Sequence, residues 1–320
     1  MRIALIGGMP FPAVNIVSSI LEKNPSIQVL ILNNNTDDFP AEIKDNPQIT
    51  LWQGTAKDKI LIKNLLSNAQ TLINMPGIDG SYAAEEEIIS DWVSSISNIL
   101  NLARNSNLER IIHISSSNIY GAVADSPVTE EHPIKPTDLK GIVDSLAEEM
   151  AHYYSSKYSL PIVMLRLFNL YGPYQSTENT VSSLISSALN NAPMQLWEEG
   201  EQAENLLYVE DFMDALHKIL KTKFDSLAGE SINIGNIGVI PVREIANMIL
   251  SLLNKPQSLI SFEKNHKQGS INLVPSIMKA KILLSWSPKT AIEEGLEKTI
   301  NWHVENRNWW NVKPQRTADS

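Results

Sequence analysis

The chain has no cysteine, which removes disulfide frameworks, thiolate metal sites and cysteine nucleophiles from consideration. It is also short of positive charge. With 26 basic against 36 acidic residues the net charge is -10, so its averaged field repels nucleic-acid backbones and anionic lipid surfaces. Neither a nucleic acid nor a membrane is expected as a partner. Charged residues make up 19% of the chain, and no apolar run approaches the roughly 18 to 20 residues of a membrane-spanning helix. The six histidines show no H-x-x-x-H or similar ligand spacing, so no metal site is assigned. The N-terminus lacks a cleavable signal pattern, and a cytoplasmic location is the expectation. Internal repeats and low-complexity tracts are missing too.

What the sequence does hold is apolar side chain: 43% of 320 residues, with 14 glycines, enough for one large core or for two lobes. Continuous apolar runs at 3–6, 27–32, 71–73, 111–114 and 162–167 predict buried parallel strands. Helical stretches at 58–66, 84–105 and 142–157 are long enough to cross between them. The alternation predicts an α/β fold with a doubly wound parallel sheet. Beyond about 173 the rhythm changes. Helices are expected at 181–189, 210–220, 242–253, 276–284 and 291–303, with short strands at 194–197, 206–209 and 231–234. Residues 1–168 with about 206–234 form the expected sheet domain. About 169–205 and 235–310 form a smaller C-terminal α/β lobe, and 311–320 a polar tail that frays.

Four strings, IIHISSSNIYG (111–121), LRLFNLYGP (165–173), LYVEDFMDAL (207–216) and INIGN (232–236), resemble the extended short-chain dehydrogenase/reductase family, which includes NAD-dependent nucleotide-sugar epimerases and dehydratases. They stand in order and in register along 1–310. The resemblance implies a Rossmann-type domain for NAD, a C-terminal lobe for a nucleotide-sugar, and an active site between them.

The cofactor positions that the resemblance implies have changed together. The phosphate turn, G-x-x-G-x-x-G in the family, begins here with Gly7 and Gly8 but has Pro10 at its second glycine and Ala13 at its third. Pro10 removes an N–H where the chain should come nearest the ligand. Asn33 stands where a carboxylate would hold the adenosine ribose, giving a neutral hydrogen bond of about 1 kcal/mol in place of a charged one of about 1.5–3. Thr55 replaces an aspartate near the adenine, and Asn74, Met75, Pro76 and Gly77 replace an HLAA-like segment. NAD is the cofactor implied, and these changes predict that it is not bound.

The chemistry implied by the family needs a Tyr acidified by a Lys four residues on, with a Ser or Thr sharing the proton. The Ser is Ser116, but the Tyr and Lys positions hold Lys140 and Asp144. Tyr153 and Lys157 have the right spacing for the pair. They lie 13 residues too far on, about 20 Å along a helix, so they are read as a helix face.

For the substrate, Asn169 and the string 208–211 keep the family pattern, while G-x-Q-x-R-D-F reads Gly200 to Leu206 with Gln202 retained and Glu204 in place of the phosphate-clamping Arg. A carboxylate repels a diphosphate, and with Glu198, Glu199 and Glu201 the run is read as a solvated acidic loop. Trp302, Trp309 and Trp310 are read as packing. The helices around 92–103 and 142–154 are those which commonly pair in this family's dimers.

The expectation is a catalytically impaired pseudoenzyme, a binding or scaffolding subunit for a nucleotide-sugar or other small molecule, as a homodimer or a heterodimer with an active relative. The alternative is an active epimerase, dehydratase or reductase using Ser116 with Lys140 as acid and base.

Overall fold

A computed structural model describes residues 1–7, 10–75, 85–123, 125–263 and 273–310. Gly8, Pro76, Gly77 and the tail 311–320 lie outside the described residues. The first half alternates β1 (Arg2–Gly7), α1 (Pro10–Lys23), β2 (Gln28–Asn33), α2 (Ala41–Lys44), β3 (Ile49–Gln53), α3 (Lys59–Ser67), β4 (Thr71–Met75), α4 (Glu85–Ala103), β5 (Arg110–Ser116), α5 (Leu139–Tyr158) and β6 (Ile162–Leu167). The second half runs β7 (Leu170–Tyr171), α6 (Thr180–Leu189), β8 (Met194–Trp197), β9 (Ala203–Glu204), β10 (Leu207–Tyr208), α7 (Val209–Lys221), β11 (Ser231–Ile234), β12 (Ile240–Pro241), α8 (Val242–Leu252), β13 (Ile260–Glu263), α9 (Met278–Leu284), α10 (Ile292–Glu305) and α11 (Arg307–Trp310).

Seven strands form one parallel sheet in the order β3-β2-β1-β4-β5-β6-β11. This is the doubly wound arrangement expected, since strands apolar on both faces need helices on both. Ala13, Val14, Val17, Phe212 and Leu216 pack one face, while Ile62, Leu65, Ile96, Ile99, Ala147 and Ala151 pack the other. Ser231–Ile234 is the edge strand beside β6. Strand β3 is the one that periodicity misses. It is the opposite edge, and only Ile49 of its residues is buried, so it carries no continuous apolar signal.

Three short pairs complete the chain: β7 with β10, β9 with β12, and β8 with β13. Asp211 ties the last helices to this part, its carboxylate accepting from the backbone N–H groups of Lys289 and Thr290 at 3.0 Å each. Trp286 Nε1 donates to the Asp211 carbonyl at 2.9 Å. Trp302 and Trp309 pack on the Tyr174 ring at 4.7 and 5.3 Å between centroids, and Trp310 Nε1 donates to the His303 carbonyl, which is the packing role expected.

Three buried histidines tie stability to pH. Burial holds His113, His217 and His303 below the ordinary imidazole range; for His217 the Lys23 and Lys221 charges act in the same direction. Each therefore has a folded value below its unfolded value of about 6.5, and the unfolded chain takes up protons first as pH falls. Stability present at neutral pH is lost below that point, at up to about 1.4 kcal/mol per pH unit for each histidine. Urea midpoints should fall steadily between about pH 7 and pH 5 and fall less in His303→Leu; a flat profile would exclude this linkage.

Candidate active site

Parallel α/β sheets gather ligands at the carboxyl ends of their strands, and the polar residues of this chain collect there. Strand β5 ends at Ser116, paired in register with Leu167 of β6. A single 3-10 turn, Ser117–Tyr120, follows directly, and after the segment 121–138 comes α5, whose first turn is capped by Asp138: its Oδ1 accepts from the Gly141 N–H at 2.7 Å, and Oδ2 accepts from Asn118 Nδ2 at 2.9 Å. Gly141 lets the helix lie hard against that turn, since a Cβ there would stand 2.5 Å from the Asn118 carbonyl oxygen.

This contact swings Lys140 and Asp144, one helical turn apart, over Ser116. Ser116 Oγ donates to Asp144 Oδ2 at 2.5 Å, and Lys140 Nζ donates to the same oxygen at 2.6 Å. Asp144 is 1% exposed, while 47% of the Lys140 side chain faces solvent. The structure thus brings together all three residues that the resemblance places at the reacting centre. Their arrangement is an ion pair with a serine attached.

Beneath it lies a polar layer that sequence reasoning missed. His113 Nδ1 sits 2.9 Å from Asn74 Nδ2, so with the amide donating, the ring proton is on Nε2. Burial depresses the imidazole more than the Glu148 and Asp144 charges raise it. His113 Nε2, Ser115 Oγ and Asp144 Oδ1 are buried and find no hydrogen-bond partner among the described residues. The available signal was a histidine inside the apolar run of β5.

Two phenols of this part of the chain, Tyr120 and Tyr153, have partners of their own. Tyr120 is fully buried, donating to Asn233 Oδ1 at 2.7 Å and accepting from Arg166 Nη1 at 2.9 Å. Burial pushes it up to about 12 in spite of Arg166. Tyr153 accepts from Lys157 Nζ at 2.6 Å, a bond that lowers its phenol, but it is half exposed on the outer face of α5. Its 13-residue separation from Lys140 amounts to about 20 Å of helix.

The cofactor positions have local occupations. Gly7 has φ +74°, and a Cβ there would meet the Met75 carbonyl oxygen at 2.4 Å, so the approach of β1 to β4 requires glycine whether or not a phosphate binds. In α1, Phe11 is extended (φ -93°, ψ 126°), which interrupts the helix just after Pro10, and Ala13 is wholly inside the core. Asn33 is buried, with Oδ1 accepting from the Asn35 N–H at 2.9 Å. Thr55 is exposed, its carbonyl accepting from Asp58 N at 3.1 Å.

On the lobe side, Asn169 follows β6 and donates through Nδ2 to Glu204 Oε2 at 2.7 Å. Thr180 Oγ1 donates to Glu204 Oε1 at 3.4 Å. The reading of this stretch as a solvated acidic loop is corrected here. Glu199 and Glu201 are solvated and pair with Arg243 at 3.8 and 3.4 Å, but Glu204 is only 6% exposed. Strand β9 turns its side chain inward, and burial lifts its carboxyl above the ordinary range while the two donors oppose the shift. Gln202 lies just before that strand. Its carbonyl accepts from Val242 N at 2.8 Å, and its Nε2 is buried with no partner among the described residues. Also among these residues, no group of three or more His, Asp and Glu could hold a metal, and no helix is long and apolar enough to cross a membrane.

A model of the NAD dependent epimerase/dehydratase family matches residues 3–235. The human dTDP-D-glucose 4,6-dehydratase is 27% identical over 98% of this chain and 93% of its own length. A low-salt glycan biosynthesis protein of Haloferax volcanii is 24% identical over 95% of this chain and 99% of its own. Among solved structures, dTDP-glucose 4,6-dehydratase from Bacillus anthracis in complex with NAD superposes with a TM-score of 0.85 at 23% identity, covering 97% of this chain and 99% of that one. UDP-glucuronic acid 4-epimerase from Bacillus cereus, in complex with UDP-glucuronic acid and NAD, gives 0.84 at 24%, covering 95% and 99%.

Proposed function

Because the chain belongs to the NAD dependent epimerase/dehydratase family, we propose that it is a member which keeps the family's scaffold and cleft but has given up hydride chemistry. It serves as a cytoplasmic small-molecule-binding or scaffolding subunit linked to nucleotide-sugar metabolism. The observation that carries this reading is the convergence of Lys140 Nζ and Ser116 Oγ on one oxygen of Asp144. A phenol sharing its proton with a serine needs a cation beside it to favour the phenolate. At this corner the cation neutralises a carboxylate, and the serine donates its proton to that same carboxylate.

The residues at the implied cofactor positions do not fit NAD well. Asn33 Oδ1 is used by its own loop, Thr55 supplies no charge, and the need for Gly7 is met by the Met75 carbonyl. No step is therefore routed through the dinucleotide. The test is calorimetric titration with NAD, alongside mass spectrometry of small molecules released on denaturation. No heat of binding and no dinucleotide are expected, and stoichiometric NAD in the purified protein sinks the reading.

Helices α4 and α5 support a paired state, as a homodimer or with an active relative. Val93, Ile142 and Leu146 stand about two-fifths exposed along them, an apolar exposure that pairing would cover. The active-enzyme alternative draws on the proximity of Ser116 and Lys140 through Asp144. It would require Lys140 to surrender the proton that holds its ion pair, and turnover of a nucleotide-sugar lost in Lys140→Ala would establish it.

A further inference from the structure

Glu204 is a buried carboxylate that ion pairs and hydride chemistry leave unused. Around it stand the Asn169 amide at 2.7 Å, the Thr180 hydroxyl at 3.4 Å and a low-dielectric wall, and among the described residues no cation contributes. The guanidinium near this stretch, Arg243, is engaged elsewhere, at 3.8 and 3.4 Å from Glu199 and Glu201 and stacked 5.1 Å over the Phe262 ring. Removing a carboxylate from water without a counter-ion is expensive, and an isolated buried charge is ordinarily replaced or paired. A side chain that works against folding and is nonetheless held by two directed donors is built for something that arrives later.

The place is reachable. Asn169, which roofs the carboxylate, is exposed, and Thr180 at the start of α6 is half-buried. Asn169 lies two residues beyond Leu167, the register partner of Ser116. Glu204, bonded to Asn169, therefore stands at the carboxyl ends of the same strands as Ser116 and the Lys140–Asp144 pair above it. Gln202, two residues before Glu204 and so on the same side of the extended chain, holds a buried amide nitrogen with no acceptor among the described residues. Two residues apart on one extended segment, the chain thus carries a carboxylate with no cation and an amide donor with no acceptor among the described residues.

We propose that Glu204 is the counter-ion for an ammonium group on the molecule that occupies this cleft, with Gln202 Nε2 donating to a neighbouring hydroxyl or carbonyl oxygen of that molecule. The ligand class is an amine-bearing polyhydroxy compound, and a phosphate at this position is rejected by the same charge. The inference rests on the reading of the cleft as a small-molecule site and deepens it by naming the chemistry at one end.

The test uses the full chain with three probes: D-glucosamine, its neutral N-acetyl derivative and glucose 1-phosphate. Calorimetry at neutral pH is expected to rank glucosamine ahead of the other two by at least about tenfold. In Glu204→Gln, which keeps the shape and the bond from Asn169, that preference is expected to vanish. The same variant without ligand is expected to melt at a higher temperature, because the uncompensated charge is gone; a purely structural carboxylate would instead leave it lower. Equal affinities, absence of glucosamine binding, a preference that survives in the variant, or a lower melting temperature would each overturn the proposal. NAD titration is a separate readout: dinucleotide binding would sink the pseudoenzyme reading while leaving the glucosamine ranking to be judged by itself.

Discussion

Arg166→Met is expected to destabilise the chain by about 3–5 kcal/mol, the cost of leaving a fully buried charge without its partner. Arg166 lies in β6, between β5 and the edge strand β11, with 4% of its side chain exposed, and its partner Glu148 on α5 shows none. The guanidinium grips the carboxylate from two nitrogens: Nε reaches Oε1 and Oε2 at 3.2 and 3.0 Å, and Nη2 reaches Oε2 at 2.8 Å. Its remaining nitrogen, Nη1, donates to the Tyr120 hydroxyl and the Glu130 carbonyl at 2.9 and 3.0 Å. Tyr120 passes the chain of bonds to Asn233 on β11, whose amide donates to the Val128 carbonyl at 3.0 Å. Every polar atom of this knot has its partner inside, so removing one side exposes the rest to the full desolvation cost. The paired variant Arg166→Met with Glu148→Leu should recover most of the loss, since a well-packed apolar pair is close to neutral against a buried ion pair. Urea unfolding of the three variants checks both statements. A single-variant loss below about 1 kcal/mol would mean that water reaches Glu148.

The second large effect is on turnover. Given dTDP-glucose or UDP-glucuronic acid together with NAD, the chain is expected to form product at a rate lower than that of an active family member by at least the 10²–10⁴-fold that a positioned acid/base group contributes, roughly. Lys140 stands at the position implied for the catalytic phenol, with its proton directed at Asp144 Oδ2, and the nearer phenol, Tyr120, is locked inside the Arg166 knot with its value pushed to about 12. Chromatography of the sugar nucleotide after prolonged incubation, with absorbance of the reduced nicotinamide followed in parallel, measures this directly. Turnover near that of an active relative would show that other groups have taken over the proton transfer.

Legibility varied from one residue to the next for identifiable reasons. The apolar runs of β1, β2, β4, β5 and β6 were readable because a strand covered on both faces has no polar positions, whereas β3 at the sheet edge gave no such run. Ser116, Lys140 and Asp144 could be named from strings that keep their order along the chain. Arg166 offered a signal that went unused, a single charge within an apolar strand, which by itself requires a buried partner. Glu204 was misjudged because three neighbouring glutamates suggested solvent, and inward or outward facing in a two-residue strand depends on a pairing with β12 that lies 36 residues downstream.

The sequence alone determined the class of fold, the identity of the side chains available for chemistry and the absence of thiols, because period, composition and residue type are local properties. Only the tertiary structure decided that Lys140 and Ser116 share one oxygen of Asp144, that Tyr120 is sealed against Arg166, and that Glu204 is buried with no cation among the described residues. Those facts depend on where α5 meets the end of β5 and where β9 meets β12, and hydrogen bonds of less than 3 Å between residues tens of positions apart exist only once the chain has closed around them.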